Sequence, residues 1–114
     1  MRRGDVYVAA AGGAYTGKPR PVVLVQDDRF DATASVTVCP LTTSAVDAPL
    51  TRIAVEPSAL NGLDEPSRLM VDKLTTMPRA GLQGRLGRLR SEDLLQLNRA
   101  LVVFLGLADA LGDG

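Results

Sequence analysis

The sequence predicts a mostly β domain: a small, curled antiparallel barrel with one helix packed on it at the C-terminal end. Three observations carry this. Five or six short apolar stretches, several rich in β-branched residues, are separated by turns containing glycine, proline or aspartate. From residue 91 onward the apolar period changes from alternation to a helical one. The chain has 114 residues with an apolar fraction of 46%, enough for one domain and one core but not two. No linker, repeat or low-complexity tract divides it, so residues 1–114 are read as a single domain.

The first strand is read at residues 5–10, where Val6 and Val8 alternate with Tyr7 and Ala9. Residues 11–17 form a loop containing Gly12, Gly13 and Gly17. The second strand spans 20–26, and its run Val22-Val23-Leu24-Val25 fits a core better than a solvated face. Residues 27–34 are polar and turn-like. The third strand covers 35–41, β-branched at Val36, Thr37 and Val38, and a loop follows at 42–48. The fourth covers 50–56, with Ile53 and Val55 on one face. Asn61-Gly62 and Glu65-Pro66 punctuate the next loop, and the fifth strand is read at 67–74. Residues 75–90 read as irregular, with a short strand around 84–89. The helix is expected to take Ser91 as N-cap, with Glu92 and Asp93 in the first turn, where the helix dipole favours acids. Leu94, Leu97, Leu101, Phe104 and Leu105 fall on one face, widened by Leu95 and Val102, so Phe104 is expected in the core. Gly106 is the expected stop.

Thirteen basic and thirteen acidic residues cancel, so no global field draws in nucleic acid and any such binding needs a local patch. Cys39 is the only cysteine, which excludes an intrachain disulfide and a thiolate cluster, and its strand setting reads as packing. No apolar run approaches roughly 18 residues, so a cytoplasmic protein without a membrane span is expected.

Two chemistries can be set aside. Gly12 to Lys18 fits the start of a phosphate-loop pattern, but Pro19 stands where a Mg²⁺-binding hydroxyl is required, and a strand follows where a helix is needed. With no histidine and one cysteine, a zinc site would be nearly all carboxylate, and a histidine-activated nucleophile cannot exist. Asp27, Asp28 and Asp31 lack the spacing of a calcium loop and read as a solvated turn. No metal or other cofactor is expected.

What remains is centred on Arg20. Pro19 and Pro21 fix their own φ and push Lys18 and Arg20 toward extended geometry. A guanidinium held stiffly at a strand end suits phosphate recognition. Thr42-Thr43-Ser44 places three hydroxyls where the third strand runs out, either as donors to phosphate oxygens or as turn-formers. Asp72 is an acid within an apolar strand pattern, either functional or simply facing outward. Tyr15 and Phe30 lie in loops, where they either stack on a base or pack locally. Arg85, Arg88 and Arg90 do not sort into a stripe and read as a charged, guarded edge.

In order along the chain stand Arg3-Gly4-Asp5-Val6-Tyr7, Arg20-Pro21-Val22-Val23-Leu24-Val25, Pro40-Leu41-Thr42-Thr43, Val71-Asp72, and Gly87-Arg88-Leu89 before Ser91-Glu92-Asp93-Leu94. This ordered set resembles the MazF/PemK/Kid toxins of toxin–antitoxin systems, from Arg3 to about Leu107. The resemblance implies an SH3-like barrel with a C-terminal helix, acting as a homodimer. It implies metal-free cleavage of single-stranded RNA at short sequences, and neutralisation by a cognate MazE-like antitoxin whose acidic tail lies along the toxin. Arg20 matches the family's arginine in its Arg-Pro motif, and Thr42 its hydroxyl at the end of the third strand. Asp72 matches an aspartate that acts in the Kid branch, but Met70 stands at the accompanying arginine, and Kid's histidine has no counterpart. These departures place the chain nearer the MazF branch. Arg20 and Thr42 are therefore the expected catalytic residues, with Lys18, Thr43, Asp72, Tyr15 and Phe30 binding substrate. The alternatives are a non-catalytic, CcdB-like gyrase-binding toxin, disfavoured by the absence of tryptophan, and an inactive antitoxin-binding relative.

Overall fold

The run Val22-Val23-Leu24 is apolar at every position because both of its faces are covered. Val23 packs with Val6, Cys39, Leu41 and Leu69 in one buried cluster, whereas Val22 and Leu24 pack with Ala9, Val36, Val38 and Met77 in another. Fully burying each such side chain contributes roughly 1.5–3 kcal/mol. The computed structural model describes residues 1–10 and 18–108. Its strands are β1 (Asp5–Ala9), β2 (Arg20–Leu24), β3 (Ser35–Thr42), β4 (Arg52–Val55), β5 (Ser67–Met70), β6 (Thr75–Pro78) and β7 (Leu82–Arg88), followed by helix α1 (Ser91–Phe104). The expected glycine loop at 11–17, with Tyr15, lies outside the described residues.

The strands form one antiparallel sheet in the order β4-β5-β3-β2-β1-β7, as the expected mostly β fold requires. β3 is its hub. One edge pairs with β2 through Val22↔Pro40, Val23↔Cys39 and Leu24↔Val38. The other edge is shared: Ser35 to Val38 pair with β6, and Leu41 and Thr42 with β5. Cys39 and Pro40 fall at the changeover, where that edge carries no ladder pair and the missing proline N–H is not called upon.

This arrangement corrects two sequence expectations. The single strand read at 67–74 ends at Met70, and Asp72 sits in a one-turn 3-10 segment, Val71–Lys73. The region 75–90, read as irregular, contains β6 and a β7 that starts at Leu82. The cause is the same for both. β5 and β6 lie end to end along one edge of β3, and the 3-10 turn is the step between them.

β4 and β7 do not pair, so strand hydrogen bonds alone do not close the barrel. The loop after β4 bridges the gap, its Leu60 carbonyl accepting the Arg88 N–H at 2.9 Å. The backbones approach so closely that a Cβ on Gly87 would lie 2.0 Å from the Leu60 oxygen. Asn61, wholly buried, organises this loop by accepting the Ser58 and Leu63 N–H groups and donating to the Glu56 carbonyl.

Leu97, Ala100 and Leu101 seat α1 on the first cluster. The N-cap is Arg90 rather than Ser91; its side chain makes no cap bond and instead reaches Asp93 and Glu92 at 3.2 and 3.4 Å. Gly106 ends the helix at φ +75°, as expected. Phe104 is not core: it is 45% exposed, because α1 packs on the sheet only as far as Leu101. No described helix is long and apolar enough to cross a membrane.

Candidate functional site

Arg20 opens β2 at the lip of a cleft of about 260 Å³. One wall is Val8, Pro19, Arg20 and Pro21; Thr43 joins from the end of β3; the far wall is Gly62, Leu63, Asp64 and Glu65, with Ser67 and Leu86 beside it. Arg20 pairs with Ala9 across β1, and the β2–β3 ladder runs as far as Val22↔Pro40, two residues short of Arg20 and Thr42, which stand at the neighbouring ends of the two strands. Arg20 is exposed, and among the described residues no carboxylate lies within ion-pair distance of it.

Thr42 is half-buried, and its Oγ1 accepts the Ser44 N–H at 3.1 Å. That bond uses a lone pair and leaves the hydroxyl proton free to donate. Thr43, the residue after β3 ends, lines the cleft with Arg20, and Thr42 is not among the lining residues. Lys18 is exposed and lies two residues before Arg20, but it is not among the cleft-lining residues.

The structure does not bring Asp72 or Phe30 to Arg20. Asp72 accepts two hydrogen bonds from Arg52, at 3.1 and 3.3 Å, tying the start of β4 to the turn after β5. Those bonds hold its carboxyl below the usual aspartate value. Phe30 ends the 3-10 turn Asp28–Phe30 past the opposite end of β2, 54% exposed, with the Arg29 guanidinium 6.0 Å from its ring centroid. Cys39 is buried in the core, and burial pushes its thiol up to about 12, which leaves it inert.

Leu63, Asp64, Glu65 and Leu86 were not legible as site residues; the sequence signals only a turn at Asn61-Gly62. Chemically, the cleft offers one exposed cation and the hydroxyls of Thr43 and Ser67 beside walls that are partly apolar and partly acidic. The two carboxylates on the far wall disfavour a second phosphate. A larger groove of about 500 Å³ runs between α1 and the sheet, lined by Val25, Leu74, Leu101, Val102 and Leu105. Its one cation, Arg3, is already committed to the Val25 carbonyl and Asn98.

Comparison with known proteins adds to this geometry. Residues 2–105 match the family model described as the PemK-like, MazF-like toxin of type II toxin–antitoxin systems. The chain is 64% identical over 108 residues to a probable endoribonuclease MazF of Mycolicibacterium smegmatis, covering 95% of this chain and 99% of that one. It is 29% identical over 112 residues to an endoribonuclease MazF of Staphylococcus saprophyticus, covering 94% and 92%. A solved mycobacterial endoribonuclease in complex with its cognate antitoxin matches with a TM-score of 0.80 at 28% identity, over 94% of this chain and 96% of that one. MazF of Deinococcus radiodurans, at a TM-score of 0.73 and 19% identity over 93% and 96%, shares the fold.

Proposed function

Because the chain belongs to the PemK-like, MazF-like toxin family, we propose that it is a sequence-selective, metal-independent endoribonuclease acting on single-stranded RNA through Arg20 and Thr42. The observation that carries this reading is the exposed guanidinium of Arg20, set between two prolines at a cleft that Thr43 also lines, with Thr42 ending the neighbouring strand.

The substrate supplies its own nucleophile. The 2′-oxygen bonds to phosphorus as its proton departs, and the bond from phosphorus to the 5′-oxygen breaks as that oxygen takes up a proton. The products are a 2′,3′-cyclic phosphate and a 5′-hydroxyl. Negative charge grows on the phosphoryl oxygens, and Arg20 meets it with two parallel hydrogen bonds, each worth roughly 1.5–3 kcal/mol because one partner is charged. Arginine stays protonated, so its part is electrostatic and positional. Thr42 donates its free hydroxyl proton to a phosphoryl oxygen or to the 2′-oxygen. Lys18 and Thr43 extend the contact along the strand, and Val8, Pro21, Leu63 and Leu86 offer apolar surface to a base.

The same reading gives the chain a cognate MazE-like antitoxin as partner, supported by the solved mycobacterial relative bound to its antitoxin. It also gives a homodimer in the cytoplasm. Val103, Phe104, Leu105 and Leu107, between 45% and 58% exposed at the end of α1, are apolar surface suited to a second copy.

Incubation with a mixed-sequence RNA in excess EDTA tests the activity. Cutting unaffected by EDTA, abolished by a single 2′-deoxy nucleotide at the cleaved position, is expected. Loss of cutting with EDTA, or cutting of the 2′-deoxy substrate, would contradict the mechanism.

A further inference from the structure

We propose that Arg68 is a positioning residue for the cleavage site, pinning the loop between β3 and β4 by a hydrogen bond to its crown. This rests on the endoribonuclease reading and adds a residue that neither composition nor motif singled out.

Arg68 stands directly across from a proposed site residue: Thr42 pairs with Arg68, and Arg68 pairs with Ala54 on its other side. Adjacent strands lie about 4.8 Å apart, so the Arg68 backbone is one strand from Thr42. Its Nη1 donates to the carbonyl of Val46, a residue 22 positions earlier in the chain.

The loop it reaches has little else to hold it. Residues 43–47 are exposed and carry no regular structure. Their other hydrogen bonds are local: the Ser44 N–H to Thr42 Oγ1, and the Ala48 N–H to the Val46 carbonyl. Among the described residues, the Arg68 bond is the one that reaches 43–47 from elsewhere in the chain. Thr43, on this loop, lines the cleft with Arg20. Ser44, on the same loop, donates its N–H to Thr42 Oγ1 at 3.1 Å, so an untethered loop loosens the hold on that hydroxyl, and misplacing a reacting group by about 1 Å can cost on the order of a hundredfold in rate. Arg68 acts through the loop, so the loss falls on kcat more than on KM.

The test compares the full-length protein with Arg68→Ala and Arg68→Lys. Hydrogen exchange at the Ser44 and Ala48 amides, the hydrogen-bonded ones of this loop, reads the tether without RNA. Faster exchange in Arg68→Ala, with an unchanged melting temperature, is expected; exchange equal to wild type would overturn the proposal. Steady-state cleavage of an RNA oligonucleotide that the wild type cuts, at several salt concentrations, reads the consequence. Arg68→Ala is expected to lower kcat on the order of tenfold, with KM and its salt dependence little changed. Arg68→Lys, keeping one donor, falls between. A raised KM with a salt slope shallower by about one charge would instead make Arg68 a phosphate contact and overturn the positioning role. If the wild type cuts no RNA, the endoribonuclease reading fails, and the exchange measurement still decides whether Arg68 holds the loop.

Discussion

The two ends of β2 treat charge in opposite ways. At its start, Arg20 stands open at the cleft. Past its other end, nearly every charged group is matched. Arg3 donates to the Val25 carbonyl at 2.7 Å and to Asn98 at 2.6 Å, and its N–H donates to Asp28 at 2.6 Å. Asp5, 5% exposed, accepts the Arg2 N–H at 2.9 Å and Arg85 at 3.2 Å. Arg29 meets Asp27 at 3.0 Å. Asp64 and Glu65 line the same cleft, yet neither is within ion-pair distance of Arg20, so its guanidinium keeps its donors for a bound phosphodiester. Charges at the matched end hold the chain terminus, β7 and α1 together.

The sharpest break of this contrast is Arg20→Ala. Losing two charge-assisted hydrogen bonds to the reacting phosphate is expected to slow cleavage by about 10²–10⁴-fold. The melting temperature stays near wild type, because among the described residues the side chain has no ion-pair or hydrogen-bond partner. Asp5→Ala is expected to do the reverse. It removes two hydrogen bonds from a buried carboxylate, one to the Arg2 N–H and one to the half-exposed Arg85 guanidinium, a net loss of about 1 kcal/mol that lowers the melting midpoint by roughly 4–8 °C. Cleavage per folded molecule is retained, and calorimetry with an active-fraction assay checks both halves.

Asp72→Asn gives a smaller, pH-dependent effect. The Arg52–Asp72 pair is partly exposed, at 13% and 33%, so it is worth below about 1 kcal/mol. Arg52 lowers the Asp72 pKa from 3.8, so the contribution is present above about pH 4 and is lost as pH falls through the lowered value. Wild type and Asp72→Asn are expected to differ in urea midpoint at neutral pH and to converge in acid. The smallest effect is expected from Phe30→Ala, less than about twofold on cleavage, since the ring lies past the matched end of β2. A larger loss would show that the RNA path runs the length of the strand.

Local chemistry explains which features were legible. Arg20 between two prolines, the run Val22 to Leu24, and the helix periodicity are each written in a few adjacent residues. β6 was hidden because Thr75-Thr76-Met77-Pro78 has little apolar alternation; it is a strand because Ser35 to Val38 offer it an edge. Asp72 looked like a strand residue because the step between β5 and β6 is set by β3, more than thirty positions away in the chain. The far wall of the cleft is loop backbone organised by buried Asn61, and Arg68 acts across 22 residues. No window of neighbouring residues contains either relationship.

The central claim is that the unmatched guanidinium meets the scissile phosphate. A structure of the protein with an RNA oligonucleotide carrying a single 2′-deoxy nucleotide at the cleaved position tests it most directly. The Arg20 guanidinium and the Thr42 hydroxyl are expected within hydrogen-bond reach of that phosphate. A phosphate seated elsewhere, with Arg20 still facing solvent, would contradict it.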